Sequence, residues 1–103
     1  MVEKKTPHHD LDAIKSAFSN VSSLIATGTA IKDAAALGYG RQEIVDIIQT
    51  IAPGHFYKSM TSNYDNKVWQ DVYHSSAPNG VPLYVKFTDN GRPGFLLLSF
   101  KEK

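Results

Sequence analysis

Lys58, Gln70, Tyr84, Lys86 and Lys101 are the residues of this chain with the most chemistry to offer. They lie in Phe56-Tyr57-Lys58-Ser59-Met60, Trp69-Gln70-Asp71-Val72-Tyr73, Leu83-Tyr84-Val85-Lys86-Phe87 and Ser99-Phe100-Lys101-Glu102-Lys103, blocks that mix aromatics with Lys or Gln at strand alternation. Such a set can cleave RNA without a metal. One group takes the proton of a ribose 2′-hydroxyl, donors hold the charge that builds on the phosphate, and an acid protonates the leaving 5′-oxygen. Free Lys and Tyr both titrate at about 10, so clustered cations and burial are expected to lower one of them into a useful range. The same pattern also describes lysines on the solvent face of half-exposed strands with Tyr84 at a sheet margin, and residue type alone leaves both open.

Positioning these residues requires a sheet, and the chain changes period at Pro53-Gly54 to make one. Leu11, Ile14, Phe18 and Val21 recur at helical spacing, with Asp10 or Thr6-Pro7 as the start. Thr29 is expected to cap a second helix, Ala30 to Leu37, that Gly38 ends. Ile44, Ile47, Ile48 and Ile51 form an apolar stripe on a third. Strands are expected at 55–61, 68–74, around Leu83-Val85-Phe87, and at 95–101, with turns at 63–66, 78–80 and 89–91. The apolar run from Phe95 points to a central strand covered on both faces. The class is α+β, with helices on one face of a mostly antiparallel sheet. We expect one domain over 1–103, its helical half 1–52 and its sheet half 55–103.

Composition narrows the partners. Five Lys/Arg face six Asp/Glu before Lys58, and six face four from Lys58 on. That excess is too small to hold a long duplex by its phosphates. A few nucleotides of single strand remain compatible, since nine of the eleven aromatics lie at or beyond Phe56 and bases can stack on them. There is no cysteine, hence no disulfide and no thiolate metal site. His8, His9, His55 and His74 are not at ligand spacing, His8-His9 reads as a solvated pair, and Asp65 and Asp71 read as surface charge; no metal and no cofactor are expected. The charged start Met1-Val2-Glu3-Lys4-Lys5 and the lack of a long apolar run give the expectation of a cytoplasmic protein without membrane contact.

Lys5-Thr6-Pro7-His8, Phe56 to Met60, Trp69 to Tyr73, Tyr84-x-Lys86 and Ser99 to Lys103 together resemble the MqsR family of bacterial toxins. The resemblance implies a RelE-like fold and a sequence-selective mRNA endoribonuclease of a type II toxin-antitoxin pair that cuts at short GC-containing sites, GCU among them, and arrests growth. It implies functional roles for Lys58, Gln70, Tyr84 and Lys101, with Tyr57 and Met60 linked to activity and Lys86 on the RNA. His74 stands where the family pattern has arginine, so this member either grips phosphate less tightly or uses a titrating cation. The implied partners are mRNA and an MqsA-like antitoxin that itself carries the zinc and the DNA-binding domain, so the toxin is not expected to bind DNA directly. Two other classes fit the residues: a non-catalytic RNA-binding module with Tyr57, Trp69 and Tyr84 as stacking platforms, and an interaction protein that tunes its partner's DNA binding.

Overall fold

Three short helices carry the apolar spacing of the first half onto one face of the sheet built by the second. A computed structural model describes residues 2–62, 64, 65, 67–90 and 94–103. The helices are α1 (Leu11–Ala17), α2 (Gly28–Ala36) and α3 (Arg41–Gln49), and the strands are β1 (Glu3–Lys4), β2 (Phe56–Thr61), β3 (Trp69–Ser76), β4 (Pro82–Asp89) and β5 (Phe95–Glu102). The strands form one antiparallel sheet in the order β1-β2-β3-β4-β5. The expected α+β arrangement is therefore present. The expected turns at 63–66 and 89–91 fall partly outside the described residues.

Local signals explain most boundaries. Asp10 caps α1 by accepting from the Asp12 amide, and the helix stops at Ala17 because Phe18 leaves helical geometry. Val21 continues the spacing from a separate 3₁₀ turn capped by Asn20. The cap of α2 is Thr27, not Thr29. Its Oγ1 accepts from the Ala30 amide and donates to the Leu98 carbonyl, so the same hydroxyl starts the helix and fastens it to β5. Gly38, at φ +89°, ends the helix in the left-handed conformation that side chains resist. Gln49 donates to the carbonyls of Lys15 and Phe18, satisfying acceptors that the short α1 leaves open.

The core lies between helices and sheet. Ile14, Phe18, Ile44, Ile47, Ile48 and Ile51 meet Tyr73, Leu83, Val85, Phe87, Leu97 and Phe100, all buried. The rings of Phe18 and Phe87 stack at 5.7 Å. Alternation then decides the other face, since residues between these strand positions must point away from the helices.

Further expectations need correction. β5 is not central; it is the last strand of the sheet. Its apolar run has another cause: a bulge at Leu98 lets both Leu97 and Phe100 face the core. Part of its outer edge is closed by Ile25–Thr27, where Leu97 donates to the Ile25 carbonyl and the Thr27 amide donates to the Leu97 carbonyl. At the other edge, β1 comes from the half expected to be helical and pairs Glu3 with Met60 and Lys4 with Ser59.

Another correction concerns His8-His9 and Asp71. Asp71 is fully buried and accepts from the amides of His8 and His9 and from the Ser59 hydroxyl, the last at 2.6 Å. His8 stacks on Trp69 at 5.3 Å, and the His9 ring meets the Trp69 carbonyl at 3.1 Å. Asp71 is thus the anchor of an N-terminal strap, not surface charge, and the histidine pair is docked. Asp71→Ala strands several donors at once, which costs about 2–3 kcal/mol and corresponds to a fall of roughly 10–20 °C in melting temperature for a domain of this size. A thermal melt checks it; a fall of less than about 3 °C contradicts the anchoring role.

Candidate active site

The face turned away from the helices gathers the sequence-identified residues. Lys58 pairs with Val72 and Val72 with Lys86, so the two lysines flank one valine in a row across β2, β3 and β4. One step along, His74 pairs with Tyr84 and Tyr84 with Lys101, and Gln70 pairs with Met60. Adjacent strands lie about 4.8 Å apart and same-face rows about 6.7 Å apart along a strand, within the reach of long side chains. Val72 is fully buried although it lies opposite the helix-packed core, and Met60 is 8% exposed. They form an apolar floor, and Met60 offers a buried surface rather than a free tip.

Aromatic and cationic groups are layered over this floor. A β-bulge at Tyr57 interrupts the register of β2 and β3, and the Tyr57 ring stacks on His74 at 4.1 Å. His74 in turn approaches Tyr84 at 6.1 Å. Lys101 Nζ sits 5.3 Å from the centre of the Tyr84 ring, and Lys5 and Lys58 approach Tyr57 at 5.2 and 5.4 Å. The ladder Tyr57–His74–Tyr84 is therefore bordered by cations.

The groups differ in proton affinity. Lys58 donates to the Glu3 carboxylate at 2.6 Å, an interaction that raises its pKa and lowers that of Glu3. Burial, with smaller contributions from the Lys101 and Lys58 charges, lowers Lys86. Tyr84 shifts the other way. Burial raises its pKa, because removing a phenolate from water is unfavourable, and the opposing pull of Lys58 is smaller. The clustered cations therefore act on Lys86, while the tyrosine stays a phenol. Burial lowers His74, with a further push from Lys103, so it is neutral at pH 7.

Trp69, a stacking candidate in the sequence, is not on this face. It alternates with Gln70, and its ring is occupied by His8 and by Lys4 Nζ at 4.2 Å. Glu3 and Lys5 were missed by sequence reasoning. Nothing in a charged N-terminal stretch shows that it returns to the sheet, and the one available signal was the opposite charge of Glu3 and Lys58. Among the described residues no three His, Asp or Glu side chains cluster as a metal site.

The sheet face defines the class, an α+β protein with lysines, tyrosines and a glutamine arrayed over an apolar floor. The family model described as "Motility quorum-sensing regulator, toxin of MqsA" matches residues 6–102. The chain is also 35% identical over 102 residues to the mRNA interferase toxin MqsR of Escherichia coli (strain K12), covering 99% of this chain and 100% of that protein. The chain belongs to the MqsR toxin family.

His8 and His74 both hold their protons less tightly than the ordinary histidine, chiefly through burial. Between their folded values and about 6.5, the unfolded chain binds more protons than the folded one, so stability must fall as pH drops through that window. Glu3 titrates below the ordinary carboxylate range and acts at lower pH. Urea midpoints should decline from pH 7.5 to pH 5.5, and the decline should shrink in His8→Gln/His74→Gln protein. An unchanged decline in the double variant would assign it to other groups.

Proposed function

We propose that this protein is a sequence-selective endoribonuclease toxin that cuts mRNA, arrests growth and is held in check by an MqsA-like antitoxin. The observation that carries the reading is the convergence of Lys58, Gln70, Tyr84, Lys86 and Lys101 on one open sheet face, supported by family membership. The name of the Escherichia coli relative, an mRNA interferase, gives the substrate class. Short GC-containing sites such as GCU, a zinc-bearing antitoxin that supplies the DNA binding, and action in the cytoplasm complete the proposal. No helix among the described residues is long and apolar enough to cross a membrane.

The reaction needs no added nucleophile. The ribose 2′-oxygen attacks the neighbouring phosphorus, the bond to the 5′-oxygen breaks, and a 2′,3′-cyclic phosphate and a 5′-hydroxyl result. Lys58 and Lys101 hold the charge growing on the phosphate. Gln70 adds a neutral donor on the strand next to Lys58, and Tyr57 with Tyr84 offers flat surfaces to flanking bases. His74, neutral at pH 7, adds no fixed cation where the family pattern has arginine, so phosphate is held less tightly at this position.

Each of Lys58→Ala, Tyr84→Ala and Lys101→Ala should slow cleavage of a defined mRNA by roughly 10²–10⁴, with melting temperature confirming that the variants fold. Full activity in two of the three overturns the site. Cleavage by the native protein should continue in excess EDTA and leave a cyclic phosphate with a free 5′-hydroxyl, and DNA of the same sequence should survive. Abolition by EDTA with rescue by magnesium would point to a different chemistry. Binding without cleavage would leave the sheet face a recognition surface alone.

A further inference from the structure

We propose that Lys86, rather than Lys58, accepts the proton of the 2′-hydroxyl, because the fold pairs Lys58 with the Glu3 carboxylate and leaves Lys86 between two other ammonium groups over a dry floor. This inference rests on the ribonuclease reading above and assigns a role within that site.

The two lysines flank Val72 in one row, yet their surroundings are opposite. Lys58 faces the edge strand β1, whose Glu3 holds its Nζ at 2.6 Å. β1 is fixed there by the Thr61 amide, which donates to the Val2 carbonyl, and beyond it by the buried Asp71 that grips His8 and His9. A lysine so paired stays an ammonium at neutral pH and can donate but not accept. Lys86 lies on β4, one strand in from the opposite edge, and is more deeply buried than Lys58. The charged and titratable groups on its face around it are Lys58 from β2, His74 from β3, Tyr84 on its own strand and Lys101 from β5. Its direct cross-strand partners, Val72 and Ser99, carry no charge. No carboxylate partners it among the described residues, and both neighbouring ammonium groups and its own burial favour the neutral amine. A neutral amine is what removal of a hydroxyl proton requires.

The step balances within the face. The 2′-hydroxyl proton passes to the Lys86 amine, the 2′-oxygen bonds to phosphorus, and the 5′-oxygen leaves with a proton from the Tyr84 phenol, which burial keeps protonated. Lys86 as ammonium and Tyr84 as phenolate then return to their starting forms by exchange with water. Lys58 and Lys101 take no part in these proton transfers and hold the phosphate.

The test compares Lys86→Ala and Lys86→Arg with the native protein in single-turnover cleavage from pH 5 to 10, alongside RNA affinity measured on a non-cleavable 2′-deoxy analogue. Arginine keeps most of the stem and the charge that lysine carries in its protonated form, but does not give up its proton in this range. Both variants should be slower by roughly 10²–10⁴ and should lose the rise of rate with pH that the native protein shows, while Lys86→Arg keeps the native affinity. Lys86→Arg cutting within tenfold of the native rate, or retaining the native pH profile, overturns the assignment and makes Lys86 a phosphate contact. A second variant, Lys86→Cys alkylated with 2-bromoethylamine, rebuilds the amine on a thioether and should recover rate where the unalkylated form does not; no recovery counts against the proposal. If the native protein leaves RNA intact, the ribonuclease reading falls first and this role with it.

Discussion

Asp71 holds the rest in register. Its carboxylate is buried on the helix side of β3, one residue from Gln70 and one from Val72. Because side chains alternate, the strand that turns Asp71 inward must turn Gln70, Val72 and His74 outward. The same carboxylate captures the amides of His8 and His9 and so returns the N-terminus to the sheet, where β1 can form. Two residues of strand would not stay paired on their own backbone bonds. One buried anion thus fixes both the face that carries the site and the strap that brings Glu3 to Lys58.

The chemistry of the open face follows from unequal partnering of like groups. Lys58, Lys86 and Lys101 are the same side chain on three strands, yet Lys58 faces a carboxylate from the edge strand β1 and Lys86, across Val72, is flanked by two cations. Separate proton affinities for identical residues are what divided acid, base and electrostatic roles require. Position across the sheet, more than residue type, makes the distinction.

Part of this was legible in the sequence. Leu83, Val85 and Phe87 alternate with Tyr84 and Lys86, and period-two patterning sets sidedness without any tertiary information. The isoleucine stripe of α3 was equally plain. Other features depended on partners distant in the chain. Asp71 and Glu3 look like ordinary charges until residues more than fifty positions away meet them. The apolar run of β5 suggested a central strand because a bulge is invisible in composition, and Leu98 shifts the phase of everything after it. Thr29 and Thr27 are equivalent as caps on local grounds, and it is the bond from Thr27 to Leu98 that chooses between them. Which of these groups is lowered was not legible for another reason: neighbouring cations stabilise a phenolate, but burial opposes it, and their balance depends on depth in the structure.

The two edges of the sheet show how the open face can persist. A bare edge strand is a template for pairing with other chains, and a cationic face cannot be covered by packing without losing contact with solvent and substrate. Here each edge is closed by a short piece of main chain: β1 beside β2, and Ile25–Thr27 along part of β5. Neither piece crosses the lysine row. Both are fastened from the helix side, one by Asp71 and the other by the cap of α2, so the edge protection adds nothing bulky to the face. Glu3 and Lys5 are the exceptions, side chains from the β1 edge that reach the face, and Glu3 meets the lysine nearest it. The closure that protects β2 therefore also supplies the charge that distinguishes Lys58 from Lys86.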